Sequence, residues 1–524
     1  MGGTMTRRQA ALLLGQSLVV APILAANSGT SATEAMQEAA TGRDEQGKAP
    51  VYIVLWFDTE DYMLPASDDA AKRIADFLNN QGIRATFKVV GEKARVLEQR
   101  QRTDVIAALS RQEIGYHSNT HSQQPTPAVY ESVLDWELGQ EEFNRRERTG
   151  FDDVTRIFGR PPSCYGQPGV SWAPQAYPAL KKWGVHVYLD DGEQIQLNGK
   201  PFWYGGLLNI FHIQAGQQLE PNNDWSNLEK AKEDFKSLYA EMSSHPPGGL
   251  ISFMFHPTQL VSEVFWDAVN FANGANPPRS EWKRQPEKSP AQREQAFKYF
   301  EGLITYIKSF PNVRFLTASE ASVVYRDMAQ GRVFSSQELA EIAGQVNTNI
   351  TYQVHKNYSL SASETFSLLN GFVARFASHC ACGNVKLDGT PYGPSSRAYG
   401  VTMPRTDTEI AWSQFSRTSM NVEKFLQERR EIPNAVWYGS MAVTPESYLL
   451  ALAEVTQALV SKAQPPDSVR VLPGELTASQ WVAKDSLSIW GWPIFPPGFH
   501  SAHLMDLARL QAWTLKPAIL EDLR

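Results

Sequence analysis

Two histidines and a nearby group of carboxylates have the residue types and spacing of a metal-binding site. His117 and His121 follow a predicted strand and are four residues apart, and Asp58–Asp61 form an acidic cluster after another predicted strand. Residues at positions i and i+4 share one face of a helical turn, so we expect both imidazoles to face one cation. Hydrolytic zinc sites use three protein ligands and an open position for water, and the acidic cluster supplies the missing carboxylate.

The elements that must position these residues alternate between strand and helix, as in a parallel sheet. Val51–Phe57 is a continuously apolar run rich in β-branched residues, as expected of a strand buried on both faces. A helix is predicted over Asp68–Gln81, a strand over Ala85–Gly91, and a second helix before a strand at Glu113–Tyr116. Parallel sheets carry functional residues on loops after the carboxyl ends of their strands. The acidic cluster and His117 both have this position.

The same alternation continues to about residue 330 and changes after it. Further elements are predicted as strands at Val185–Leu189, Leu207–Ile213, Leu250–Phe255 and Val313–Thr317, with a helix at Gln292–Phe310. A polar stretch near 331–350 separates them from a mainly helical C-terminal region over 350–524.

Two segments of this C-terminal region resemble each other. Ser363–Phe376 and Pro445–Val460 lie roughly 80 residues apart, and each has a capping-like start followed by a periodic apolar face. A degenerate repeat and two unrelated amphipathic helices are both compatible with this pattern. The C-terminal region is therefore predicted to be helical, with its internal symmetry left open.

Composition limits the class of protein. The chain has 524 residues, 42% of them hydrophobic and 20% charged, which is enough for two or three globular domains. Its formal net charge of −7 argues against nucleic acid as a partner, because binding a phosphate backbone requires a basic face. Its three cysteines leave an odd thiol in any pairing, so a disulfide framework is not predicted.

The N-terminus has the layout of a twin-arginine export signal. Arg7 and Arg8 precede the apolar run Ala10–Ala26, and residues 27–49 have the composition of a linker. A membrane anchor is the alternative, but the run is short and is interrupted by Pro22. We therefore expect a protein exported to the periplasm or the extracellular space, with no stable membrane span after cleavage of the signal within or near residues 1–26.

Several short motifs resemble the polysaccharide deacetylases, which form carbohydrate esterase family 4 and share the NodB homology domain. The matching stretches are Phe57–Asp61, Gly82–Gly91, His117–His121 and Phe253–Pro257, and their order agrees over about 50–330. The resemblance implies an α/β fold, namely a distorted (β/α) barrel of the NodB type over 50–330. It also implies one divalent metal ion, usually Zn²⁺.

The resemblance also implies the metal ligands. His117 and His121 match the two histidines that bind the metal in this family. Common members have two adjacent aspartates in the first motif, whereas this chain has Thr59 after Asp58. By analogy with members that skip one residue, Glu60 is predicted as the carboxylate ligand in preference to Asp61.

The remaining roles follow from the same matches and from Tyr188–Asp191, which resembles the fourth motif of the family. Asp58 is predicted as the general base, His256 as the general acid, and Asp190 as a residue that orients a catalytic group; the alternative for Asp190 is a loop cap. Tyr165, in the stretch that matches the third motif, and Trp172 are the predicted substrate contacts, although core packing is an equal alternative for Tyr165.

The third motif departs from the family pattern. Its usual arginine is absent, since Gly166 stands in its place, and Arg160 is the candidate substitute although it falls a few residues early. In the C-terminal region, Ile432–Val436 resembles pseudomurein-type cell-wall-binding repeats, which would associate the enzyme with a cell wall.

These matches predict a hydrolase that removes N-acetyl groups from an envelope or extracellular polysaccharide. Zinc lowers the pKa of a bound water and polarises the acetamide, so that attack is feasible at neutral pH. Asp58 would take the proton and His256 would protonate the departing amine. Two alternatives stay open: a hydrolase of the same fold that opens cyclic amides or ureides, and a catalytically weakened carbohydrate-binding protein.

Overall fold

The structure is a computed structural model that describes residues 49–212, 215–221, 223–244, 246–378, 383–398, 400–401 and 408–520. The predicted export signal over 1–26 lies outside the described residues, as does the predicted linker except for its last residue. Cys380 and Cys382 also lie outside them, and Cys164 is a buried free thiol.

A curled, mostly parallel sheet forms the centre of the molecule. Its strands are β1 (Val51–Thr59), β2 (Thr86–Val89), β3 (Glu113–Tyr116), β4 (Cys164–Tyr165), β5 (Val187–Asp190), β6 (Phe202–Tyr204), β7 (Leu207–Phe211), β8 (Gly249–Phe255) and β9 (Val313–Leu316). They are ordered β6-β7-β5-β4-β3-β2-β1-β8, with β9 paired to the first half of β1. Among these nine strands, all pairings are parallel except that of β6 with β7. A tenth strand, Lys516–Pro517, pairs antiparallel with β6. The predicted α/β fold is confirmed, and we call the sheet and its helices, up to about residue 330, the barrel.

The central strand β1 explains why its sequence is apolar throughout. All nine of its residues are buried, and it pairs with β2, β8 and β9. Leu55 and Phe57 pack into one hydrophobic cluster, whereas Val54 and Trp56 pack into a second cluster on the opposite face. Because side chains alternate, Asp58 continues the second face beyond Trp56.

Among the described residues, ten helices lie between the strands of this sheet in the sequence, all of them before residue 330. Their bounds are α1 (Pro65–Asn80), α2 (Gly91–Gln99), α3 (Thr103–Ser110), α4 (Pro127–Glu131), α5 (Trp136–Phe158), α6 (Ala176–Lys182), α7 (Leu228–Ser244), α8 (Ala268–Phe271), α9 (Pro290–Lys308) and α10 (Ala318–Val324). The predicted helices before β2, β3 and β9 correspond to α1, α3 and α9. The sequence analysis did not predict α2 or the long α5.

The C-terminal region is mainly helical, as predicted. Its helices are α11 (Ser336–Gln345), α12 (Ala362–Ala377), α13 (Trp412–Arg429), α14 (Pro445–Lys462) and α15 (Ala502–Gln511). The stretch near 331–350 was predicted only as a polar separator, but it contains α11. Ser335 caps this helix and Glu338 returns a hydrogen bond, so polar residues here mark a helix start.

The two similar C-terminal segments have the same local architecture. A short antiparallel hairpin precedes each of α12 and α14, and the hairpin pairing of residues 353 and 360 recurs at 436 and 443, a shift of 83 residues in each case. Ser361 and Thr444 then cap the two helices at the same shift. The degenerate repeat is the alternative that this symmetry favours. The proposed cell-wall role of the repeats stays a prediction.

The C-terminal region contacts the barrel sheet directly. The final strand, Lys516–Pro517, pairs antiparallel with β6, and the Tyr204 hydroxyl donates to the Ala508 carbonyl. All described residues belong to one compact unit, Gly42–Asp522. The division into domains at about residue 330 stays a prediction. Within the described part of the chain, no helix combines the length and apolarity that a bilayer span needs.

Candidate metal centre and active site

Five predicted site residues lie where parallel strands end. Asp58 is the penultimate residue of β1 and Glu60 follows that strand; His117 follows β3, Asp190 ends β5, and His256 follows β8. Parallel strands bring their carboxyl ends to one edge of a sheet, so residues far apart in sequence meet there. The structure brings all five together with His121.

Three of these side chains converge on one point. Nε2 of His121 lies 2.7 Å from Oε2 of Glu60, and Nε2 of His117 lies 3.2 Å from the same oxygen. One ligand atom from each of the three residues falls within 4.8 Å of the others, and all three residues are buried. Two imidazoles and a carboxylate at this separation are a ligand set that suits a divalent transition metal.

The hydrogen bonds of the imidazoles show that this donor set fits a cation. Nδ1 of His117 lies 3.0 Å from the Gly166 carbonyl oxygen, which can only accept, so the neutral imidazole carries its proton on Nδ1 and presents the lone pair of Nε2 to Glu60. Nδ1 of His121 contacts Oγ of Ser122 at 2.7 Å, and its buried Nε2 has no hydrogen-bond partner. Lone pairs therefore point at a carboxylate, an arrangement that a bound cation stabilises.

The two histidines converge through a loop, and the predicted helical turn is wrong. Ser118 and His121 have φ angles of 64° and 55°, in the left-handed region that a right-handed turn excludes. The start of α2 holds the loop, because the backbone N–H groups of Gly91 and Glu92 donate to the carbonyls of Ser118 and Asn119. The spacing of the histidines therefore reflects a loop that is fixed at the strand edge.

Geometry distinguishes Glu60 from Asp61. Oδ1 of Asp61 accepts the backbone N–H groups of Met63 and Leu64, and Oδ2 accepts from the Thr258 hydroxyl at 2.7 Å. These bonds use the carboxylate of Asp61 to hold its own loop. Glu60 is left as the carboxylate that faces the histidines.

A buried lysine joins Asp58 to Asp190. Nζ of Lys88 lies 3.0 Å from Oδ1 of Asp58 and 2.6 Å from Oδ2 of Asp190, and its side chain is fully buried. Burial lowers the pKa of Lys88, but the charges of Asp190 and Asp58 outweigh burial and hold it above its ordinary value. The ammonium is therefore charged, and it stabilises Asp58 as a carboxylate.

Lys88 occupies the space beside the position of the missing third-motif arginine. A Cβ atom on Gly166 would collide with Nζ of Lys88, so the absence of a side chain at 166 makes room for the lysine. The predicted substitute, Arg160, is elsewhere: its guanidinium donates to the carbonyls of Ser110 and Gln112, which precede β3 at the opposite end of the strand from His117. That prediction is wrong because Arg160 follows α5 and reaches only the amino end of β3.

His256 approaches the same group from β8. Its Nε2 lies 3.6 Å from Oδ2 of Asp58 and 4.0 Å from Oε1 of Glu60. Its side chain is 14% exposed, against 5% or less for Asp58 and Glu60. Oδ1 of Asp58 therefore faces the lysine while Oδ2 faces His256, the more accessible of these groups.

One dipeptide supports two of the proposed ligands, and the sequence analysis missed it. Nε1 of Trp266 donates to Oε1 of Glu60 at 2.7 Å, and Oδ2 of Asp267 lies 3.4 Å from the Ser122 hydroxyl that contacts His121. Residues that hold metal ligands in one orientation strengthen metal binding. No spacing rule connects residues this far apart along the chain, so only the fold could reveal them.

The two predicted substrate contacts lie in core packing. The buried ring of Tyr165 packs against Tyr116 and Tyr188, and buried Trp172 packs against Tyr177 and Tyr204. The structure does not bring either ring into the convergent group. For Tyr165 it shows the packing alternative, and a substrate role for the two residues stays a prediction without geometric support.

Comparison with known proteins gives structural likenesses at low identity. No family model and no curated protein matches this chain. A protein described as a polysaccharide deacetylase from Mycobacterium smegmatis is 14% identical, covering 52% of this chain and 89% of its own, with a TM-score of 0.35. A second protein described as a polysaccharide deacetylase, from Pseudomonas aeruginosa PAO1, is 12% identical, covering 52% of this chain and 90% of its own, with a TM-score of 0.35. The Puue allantoinase is 14% identical, covering 52% and 90%, with a TM-score of 0.34.

Proposed function

We propose that this protein is a metal-dependent hydrolase that removes N-acetyl groups from an envelope or extracellular polysaccharide. The observation that carries this proposal is the convergence of Glu60, His117 and His121 on one point, with Asp58 and His256 beside it. These groups are a metal-ligand set, a base and an acid, which together can carry out metal-assisted amide hydrolysis.

The donor set suits Zn²⁺ as the metal. Two imidazole nitrogens and one carboxylate oxygen are common ligands of catalytic zinc, and cobalt, nickel and manganese accept the same groups. When bound, such an ion would polarise the amide carbonyl and lower the pKa of a water to near neutral. Glu60, His117 and His121 would hold it, and Trp266 and Ser122 contact Glu60 and His121 and fix their orientation.

Asp58 is placed to accept the proton of the attacking water. Its buried Oδ1 lies 3.0 Å from Nζ of Lys88, which supplies a counter-charge, and its Oδ2 faces His256. Lys88 favours the ionised carboxylate because a positive charge at this distance stabilises it. Asp190, on the other side of Lys88, positions the ammonium and does not reach the metal ligands.

His256 is placed to protonate the departing amine. An amine leaves the tetrahedral carbon poorly unless it receives a proton, and an imidazole within reach of the departing nitrogen can supply one. Its Nε2 lies 3.6 Å from Oδ2 of Asp58, so the proposed base and acid are close together. Asp58 and His256 are therefore close enough to take up and return a proton in the same reaction.

Export and a cell-wall association belong to the same proposal. The paired arginines and apolar run of residues 1–26 support export by the twin-arginine route to the periplasm or the extracellular space. The repeated hairpin–helix architecture of the C-terminal region supports a role in holding a polymer near the site. The negative net charge disfavours nucleic acid as a partner.

The enclosure of the site supports a second candidate, hydrolysis of a cyclic amide or ureide. The side chains of Glu60, His117 and His121 are at most 2% exposed, so only a compact group reaches them. An acetamido group on a sugar is compact, and so is a small cyclic amide. The two substrates differ in product, since only the first releases acetate.

The experiment measures acetate release from N-acetylglucosamine oligomers and from peptidoglycan, beside ring opening of allantoin and hydantoin. The enzyme is assayed zinc-loaded, chelated, and as the variant His117→Ala. Zinc-dependent acetate release that the variant loses supports deacetylation. Ring opening without acetate release supports the second candidate instead. If neither reaction occurs at one bound zinc per chain, the remaining hypothesis is a carbohydrate-binding protein.

A further inference from the structure

A segment of the C-terminal region lies against the candidate metal centre. Ile494 is fully buried in a cluster with Tyr62, Val90 and Trp266, all from the barrel. The Ile494 carbonyl accepts hydrogen bonds from the Gln124 side chain at 2.9 Å and from the backbone N–H of Gly274 at 2.9 Å. A buried side chain and these hydrogen bonds fix the segment Gly491–Pro496 in place.

Trp492 of this segment touches a proposed metal ligand. Its ring centroid lies 5.3 Å from that of His121, with the rings nearly perpendicular at 87°. Its indole Nε1 donates to Oδ2 of Asp267 at 2.9 Å. The same oxygen faces the hydroxyl of Ser122, which contacts Nδ1 of His121 at 2.7 Å.

These contacts form a chain of hydrogen bonds with a definite direction. Asp267 can accept from both the Trp492 indole and the Ser122 hydroxyl, which leaves the hydroxyl oxygen of Ser122 to accept from Nδ1 of His121. Nε2 of His121 then keeps the lone pair that faces Glu60. The indole thus holds the carboxylate that fixes the ring orientation and tautomer of His121.

The barrel has a matching space for this indole. Gly169 has a φ of 53°, and a Cβ atom there would lie 2.6 Å and 2.8 Å from two ring carbons of Trp492. Gly169 belongs to the loop after β4 that also carries Gly166, the partner of His117. The indole therefore fits between the loops after β3 and β4, where a side chain at 169 would displace it.

We propose that the C-terminal region completes the metal centre, with Trp492 as a positioning residue that acts on His121 through Asp267 and Ser122. The proposal rests on the metal site of the proposed function but not on its substrate. It means that metal affinity depends on a residue 371 positions beyond His121, which the barrel alone does not contain.

The test compares zinc affinity of full-length variants by competition with a chromogenic chelator. Trp492→Phe keeps an aromatic ring and loses the indole N–H. Trp490→Phe is the matched control, because Trp490 lies in the same loop and donates to Asp485 at 2.9 Å but does not contact His121. We expect the zinc Kd to rise about tenfold in Trp492→Phe, the lower end for residues that orient a ligand, and to stay within twofold in Trp490→Phe.

A second variant and a spectrum separate positioning from a general loss of packing. Asp267→Asn keeps the shape of the side chain and is expected to weaken zinc binding at least as much as Trp492→Phe. Cobalt-substituted Trp492→Phe is expected to show altered visible bands, whereas Trp490→Phe keeps those of the unmodified protein. A zinc Kd of Trp492→Phe within twofold of the unmodified protein, or an equal effect in Trp490→Phe, overturns the proposal.

The readouts do not depend on catalysis. If the unmodified protein binds zinc but releases no acetate, the proposed deacetylation fails and the comparison of affinities still decides the role of Trp492. If acetate is released and the affinities do not differ, the positioning role fails and deacetylation stands.

Discussion

Replacing Lys88 by methionine is expected to remove both stability and activity. Lys88→Met keeps the length of the side chain and deletes the charge that joins Asp58 to Asp190, at 3.0 and 2.6 Å. Each pair attracts by about 5–6 kcal/mol at an effective dielectric constant of about 20. Desolvation offsets part of this, but the variant leaves two buried carboxylates without a cation, which costs about 3–5 kcal/mol of unfolding free energy.

Activity falls for the same reason. Without the ammonium, the pKa of Asp58 loses one of the charges that lower it, so less of Asp58 is ionised to act as the base. General-base catalysis contributes about 100-fold or more to a rate. Urea unfolding followed by circular dichroism measures the first effect, and acetate release from N-acetylglucosamine oligomers measures the second. Lys88→Met/Asp190→Asn is expected to regain stability but not activity, because it removes one buried carboxylate and leaves the base without its counter-charge.

Lys72→Met is the matched control, since Lys72 forms a half-exposed pair with Asp76 on the helix α1. A surface pair of this kind contributes less than about 1 kcal/mol. If Lys88→Met unfolds at the same urea concentration as Lys72→Met and keeps more than a third of the unmodified rate, the role assigned to Lys88 is wrong.

Three further changes have defined outcomes. Burial raises the pKa of Glu131 to about 9, so between its ordinary pKa and pH 9 the folded protein holds a proton that the unfolded chain has lost. The free energy of unfolding therefore falls by about 1.4 kcal/mol per pH unit over that range. From pH 5 to 8.5 the melting temperature should fall less in Glu131→Gln than in the unmodified protein, and an equal fall would contradict this. In Gly166→Ala the new Cβ would lie 2.6 Å from the Leu189 carbonyl oxygen, so we expect a loss of about 1–3 kcal/mol in urea unfolding, against almost none for Gly383→Ala, which meets open space. His256→Ala should lower kcat by about 100-fold or more with zinc affinity unchanged in calorimetry; a zinc Kd raised tenfold would make His256 a ligand instead of an acid.

The sequence predicts the parts of the site that lie next to regular strands. The unbroken apolar run of β1 identifies a strand buried on both faces, and the residues that follow it and β3 then lie at one sheet edge. This is why Glu60, His117 and His121 could be placed together without a structure. The helix over Trp136–Phe158 was missed because most of its residues are charged or polar and few mark an apolar face.

The residues that support the site could not be predicted in the same way. Trp266 and Trp492 reach Glu60 and Asp267 from loops 206 and 225 residues away, and no periodicity relates such positions. Lys88 did carry a signal, because a lysine within a buried strand requires a counter-charge. That signal indicated a partner, but only the parallel register of β1 and β2 shows that the partner is Asp58.

The most direct test of the metal-dependent hydrolase is a zinc titration of the chelated enzyme, with acetate release measured at each addition. If Glu60, His117 and His121 form one catalytic site, the rate rises linearly and stops rising at one zinc per chain, and Glu60→Gln shows no such rise at the same zinc concentrations. Acetate release that is independent of zinc, or no release from any N-acetylated substrate at one bound zinc per chain, would contradict it.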